Sequence, residues 1–140
     1  MKHAFALCAA FIALAGSAHA ETFKTMFVDH SSPALIDAAS AKAILAEGFS
    51  AKVLKTYPAN KWGFVSQVEG GINSAGTCVV TARVMMMQLT TTLKVMLFRP
   101  EKTATTFDAQ ANSNPEQCKQ LAKSKLQEAV QSVASSLVKG

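Results

Sequence analysis

Three cysteines occur in this chain, at positions 8, 78 and 118, and the fate of the first decides what the other two can do. Cys8 lies in a segment laid out like an export leader. Lys2 gives the basic start, Ala4 to Ala15 an almost wholly apolar core, and Ala18-His19-Ala20 the small-x-small pattern of a cleavage site. The apolar core is too short for a bilayer-spanning helix, which takes about 20 residues. Cleavage after Ala20 removes residues 1–20, and Cys8 with them, leaving residues 21–140 as one exported domain holding two cysteines. In an oxidising compartment, periplasmic or extracellular, Cys78 and Cys118 read as a single disulfide. A redox pair usually sits close in sequence as C-x-x-C, and these two do not. Closing a loop of about 40 residues is worth ~4 kcal/mol in the chain-entropy account.

The leader also speaks to lipid attachment. Leu14-Ala15-Gly16 resembles the start of a lipobox, but Ser17 stands where the lipid-bearing cysteine would be. The expectation is therefore an exported protein without a lipid anchor. No second stretch is long and apolar enough to cross a membrane.

The disulfide must be consistent with the hydrophobic pattern. Phe23 to Val28 is short, aromatic and β-branched, and reads as a first strand. Ser32-Pro33 has the form of an N-cap followed by proline at the first helical position. Leu35, Ile36, Ala39, Ala43, Ile44 and Ala46 then recur at helical spacing, and Gly48 is placed to end that helix as a C′ glycine. Phe49 to Tyr57 reads as a second strand stopped by Pro58, and Trp62 to Val68 as another before a turn at Glu69-Gly70-Gly71. Thr77 to Leu89 is the strongest strand. Cys78, Val80, Ala82, Val84 and Met86 share one face, and the other face is also partly apolar, which predicts cover on part of each side. Thr90 to Phe98 and Thr103 to Asp108 read as two further strands about a turn at Arg99-Pro100.

Asn114-Pro115-Glu116-Gln117 combines an N-cap, a proline and a glutamine at N3, close to a capping box. The helix it opens runs to about Val138 and turns Cys118, Leu121, Ala122, Leu126, Ala129, Val130, Val133, Ala134 and Leu137 inward. Bridging Cys118 to Cys78 lays this helix over the Val80–Val84 face. Pattern and disulfide demand the same packing. The fold class is α+β: a mostly antiparallel sheet of about four to five strands, a long C-terminal helix on one face, and a shorter N-terminal helix on the other face or an edge.

Catalytic chemistry finds few residues to use. His30 is the one histidine of residues 21–140 and stands beside Asp29, yet neighbours in extended chain point opposite ways. Neither a G-x-S-x-G elbow nor a phosphate-binding glycine pattern is present, and zinc lacks its ligand set. Met85-Met86-Met87 invites a copper reading, but a strand puts only two of the three thioethers on a face, and core packing is the default. The expectations are no enzyme activity, no cofactor, no metal and no nucleic-acid partner. The net charge of +5 includes Lys52, Lys55 and Lys61, and Lys119, Lys123 and Lys125, without the aromatics that single-strand binding needs. Tyr57, Trp62 and Phe64 cluster around Pro58. With Glu69, Gly70 and Gly71 they are the candidate binding residues, although the aromatics can equally plug one end of a core.

The Phe27-Val28 strand, the Ile44-Leu45-Ala46-Glu47-Gly48-Phe49 segment, the Thr77 to Phe107 meander and the closing Ala129-Val130-Gln131-Ser132-Val133-Ala134 helix resemble bacterial periplasmic envelope domains. These include the amino-terminal domain of TolB and the LpoB-like and CsgG-like domains. The resemblance implies a non-catalytic module that docks on another envelope or extracellular protein, and it carries over no functional residue. The Cys78–Cys118 pair and the missing lipobox cysteine depart from those families. The leading expectation is an exported module acting by protein–protein contact. The alternatives are an inhibitor of an envelope or host hydrolase using a Glu69–Gly76 loop, and a small-ligand or lipid carrier with Met85, Met87, Phe98 and Trp62 around a cavity. Oligomeric state stays open.

Overall fold

The computed structural model describes residues 25–138. The expected leader, the cleavage site and the first two residues of the expected opening strand lie outside the described residues. The elements run β1 (Met26–Asp29), α1 (Ala38–Gly48), α2 (Ala51–Thr56), β2 (Trp62–Ile72), β3 (Cys78–Leu89), β4 (Met96–Gln110) and α3 (Pro115–Leu137). The four strands form one sheet in the order β1-β2-β3-β4. Strand β1 runs parallel to β2, so the chain needs the α1–α2 crossover between them, while β2, β3 and β4 form an antiparallel meander. This is the α+β fold the sequence predicts, with four strands.

Helix α3 begins as its sequence requires. The Asn114 side chain accepts from the Gln117 N–H and the Gln117 side chain accepts from the Asn114 N–H, each at 2.9 Å, with Pro115 opening the helix. These bonds satisfy amide donors that would otherwise lack partners. Cys118, Ala122, Leu126, Ala129, Val130, Val133 and Leu137 are buried, and each large aliphatic side chain among them contributes roughly 1.5–3 kcal/mol by leaving water. They lie on Val80, Ala82, Val84 and Met86 of β3 and on Phe64 and Val68 of β2. The Cys78–Cys118 disulfide, with Cα atoms 5.5 Å apart, joins the start of β3 to the first turn of α3. Its partners and packing are those the hydrophobic pattern demanded.

Several sequence expectations are corrected. Helix α1 starts at Ala38, not after Ser32. The Ser32 carbonyl instead accepts from the Leu35 and Ile36 N–H groups in a turn that drops both side chains into the core, and Asp37 is the cap, its carboxylate accepting from the Ser40 N–H at 2.8 Å. The inward stripe also differs: Ala41, Ile44 and Leu45 face the core while Ala39, Ala43 and Ala46 are exposed. Gly48 is the last residue of α1, and Phe49 caps it in extended conformation. Phe49 to Tyr57 is not a strand: Ser50 caps the six-residue helix α2, which buries Val53.

Glu69-Gly70-Gly71 is not a turn but part of β2. The reversal lies at Asn73–Thr77, where the Asn73 side chain accepts from the Ala75 and Thr77 N–H groups and Gly76 takes φ 73°. At Gly70, with φ 130°, a Cβ would run into the Val79 carbonyl, so only glycine permits this approach of β2 to β3. Finally, Thr90–Phe98 and Thr103–Asp108 are not two strands. Thr90 to Val95 form the connection, and β4 runs unbroken through Pro100 beside register shifts near Met86 and Met87. An edge strand tolerates the missing N–H of proline.

Helices α1 and α3 pack against each other and share one face of the sheet. Of the two expected places for the first helix, the opposite face is ruled out and the edge holds: α1 packs with α3 in the common core through Ala41, Ile44 and Leu45 and lies against the edge strand β1. Among the described residues no helix covers the second face.

Candidate functional site

The sequence-derived candidates do not form one site. Phe64 is fully buried, its ring 4.2 Å from that of Phe49 and 6.1 Å from that of Phe27. Tyr57 and Trp62 meet edge to face with centroids 5.8 Å apart, partly buried, and close one end of the core. Glu69, Gly70 and Gly71 stand toward the other end of β2. Trp62 and Gly71 are about 30 Å apart at ~3.3 Å per residue. The inhibitor loop is shorter than expected, because Glu69 to Ile72 belong to β2. Nor do the carrier residues line a common cavity. Trp62 packs with the main core, whereas Met85 and Met87 point to the second face of β3 and Phe98 is wholly exposed. Surface hollows of about 260 Å³ by Gly48 and Val130 and about 290 Å³ by Tyr57 and Leu137 fall below the ~300–1,000 Å³ usual for small-molecule sites.

Asp29 has a structural task. Its Oδ1 accepts from the Ser31 hydroxyl at 2.6 Å and from the buried Ser66 hydroxyl at 2.7 Å, and Ser31 Oγ accepts from the Val68 N–H. This network ties the exit of β1 to β2. His30 donates its backbone N–H to the Ser66 carbonyl and leaves its ring exposed. Among the described residues, no three His, Cys, Asp or Glu side chains gather as metal ligands.

The lysines divide similarly. Lys119 pairs with Glu116 at 2.8 Å, and that bond holds the Glu116 carboxyl below its ordinary range. Lys125 bonds Glu128 at 2.6 Å and stands 3.4 Å from Asp108 on β4, which raises its pKa. Two of the three α3 lysines are thus engaged in ion pairs. No helix among the described residues is long and apolar enough to cross a membrane.

The surface that sequence reasoning missed is on β4 and the connection leading into it. Leu93, Val95, Leu97 and Phe98 are 78%, 55%, 42% and 101% exposed, and Phe107 farther along the strand is 64% exposed. Single exposed apolar residues are ordinary, but Leu93, Val95, Leu97 and Phe98 crowd one end of the edge, with Phe107 standing apart toward the other. Strand β4 is also an edge of 15 residues, a row of backbone groups on which another chain can pair. The signal was present in Leu93-Lys94-Val95-Met96-Leu97-Phe98-Arg99-Pro100: alternation running into a proline marks an edge strand, not an interior one.

No family model matches this chain, and no curated protein matches it significantly. Among solved structures it is similar to a candidate lipoprotein from Caulobacter crescentus CB15, at 8% identity over 77% of this chain and 83% of that one, with a TM-score of 0.32. A likeness at that level carries no argument about fold or role.

Proposed function

We propose that this chain is an exported, non-catalytic binding module that docks on another protein of the bacterial envelope or the extracellular space through the β4 edge and its apolar connection. The observation carrying this reading is Phe98: a large aromatic side chain held wholly in solvent near the start of an edge strand, just after exposed Val95 of the connection. Such residues become the buried anchors of an interface when a partner supplies the pocket, and edge strands accept a partner's backbone. The leader and the disulfide support export, since such bridges persist in oxidising compartments.

A photo-crosslinking residue at position 98, introduced in the exporting cell, tests this. The expected result is one crosslinked protein at position 98 and none when the same residue replaces exposed Ala39 on α1. A crosslink pattern identical at the two positions would count against docking through β4.

A further inference from the structure

We propose that Met26, Met87 and Met96, with Met85 beside them, form a thioether site for Cu(I) on the face of the sheet turned away from the helices. Gly63 is its centre. Met26 on β1 and Met87 on β3 are the register partners of Gly63 on either side, so all three residues share one face. A Cβ placed on Gly63 would lie 3.4 Å from Met26 Sδ and 2.5 Å from Met96 Cε, so both side chains fold over the spot where Gly63 has none. Met85 stands one step along β3, opposite Val65. Met86 points the other way, into the main core. Sequence spacing alone could count only Met85 and Met87 on a face. The fold adds two more from strands distant in sequence.

The donor set dictates the ion. Thioethers are soft, neutral ligands that favour Cu(I) over Zn²⁺ or Cu(II), which prefer imidazole, carboxylate or thiolate. Cys78 and Cys118 are tied to each other and do not compete for the metal. Met87 is 9% exposed and Met26 37% exposed, so the cluster is sheltered on one side and open to an arriving ion on the other. Packing alone would need the volume of these side chains but not their sulfur. This difference makes leucine the discriminating substitution, since Leu and Met exchange with small cost in an apolar setting.

The experiment is an anaerobic titration of the full chain in a Cys8→Ser background, oxidised at Cys78–Cys118, against Cu(I) held by a bicinchoninate chelator. Ag(I) serves in parallel as a redox-silent probe of the methionine methyl signals in NMR. The expected result is one Cu(I) withdrawn per chain, with methyl shifts at Met26, Met87 and Met96 and none at Met86. Met26→Leu/Met87→Leu/Met96→Leu should lose at least 100-fold in affinity while its melting temperature stays within a few degrees. Should the triple variant fail to fold, Met26→Leu alone, at a part-exposed position, should lose at least tenfold. Failure of the unsubstituted protein to withdraw Cu(I), or equal withdrawal by a folded leucine variant, would overturn the site.

Discussion

Removing the Cys78–Cys118 bridge should cost this domain a large part of its stability. The half-cystines are 40 residues apart in sequence, and a loop of that length gives about 4 kcal/mol in the chain-entropy account. Both are buried, at 0% and 2% exposure, so Cys78→Ala/Cys118→Ala also leaves small voids beneath α3. Against a total of roughly 5–15 kcal/mol for a domain, that loss brings the protein toward marginality. At about 4 °C per kcal/mol for this size, the melting temperature should fall by around 15 °C. Urea unfolding followed by Trp62 fluorescence is the assay, because Trp62 packs on Tyr57 at the core's end and changes environment when that end opens. The variant and the dithiothreitol-reduced parent should unfold at similar urea concentrations. A loss below 1 kcal/mol, or two titratable thiols in the unreduced native protein, would refute the reasoning.

Three more outcomes are expected. Gly70→Ala forces a Cβ into the Val79 carbonyl at a backbone angle that only glycine adopts readily, and should destabilise by about 2 kcal/mol or more in the same urea assay. Asp29→Ala leaves the buried Ser66 hydroxyl without its acceptor and should cost about 1–3 kcal/mol, while Ser66→Ala in that background should recover part of the loss. The Ser40 hydroxyl and N–H hold the Asp37 carboxyl below its ordinary pKa. A carboxyl depressed on folding stabilises above its unfolded pKa and loses that contribution as pH falls through the folded value. Asp37→Ala should therefore lower the melting temperature at pH 7 and have less effect at pH 2.

The helical face of this fold was legible because its signals are local and agree. Asn114-Pro115-Glu116-Gln117 specifies a helix start by itself, the α3 stripe repeats over six turns, and the β3 alternation is long enough to fix a face. Elsewhere two signals competed. Ser32-Pro33 and Asp37 are both plausible caps, and only burial of Leu35 and Ile36 in the core selects the second. Ser50 announced α2, but a six-residue helix has no periodicity to set against β-favouring Phe49, Val53 and Tyr57. Gly70 and Pro100 signal turns when only their local sequence is weighed. Here Gly70 answers to the Val79 backbone across the sheet, and Pro100 to the open side of an edge strand. Tyr57, Trp62 and Phe64 lie close together in sequence, and the fold uses all three for packing, Phe64 in the core and the other two against it. The exposed edge and the methionine cluster depend on strand order, and no local window contains that.

Native mass spectrometry of the protein drawn gently from its own exporting cell, beside a Phe98→Asp variant prepared identically, tests the docking account most directly. The expected spectrum of the parent shows the oxidised chain with a second protein bound, and the variant shows the folded chain without it. The same second protein bound equally to both, or a parent carrying only itself, would contradict a module that works through the β4 edge.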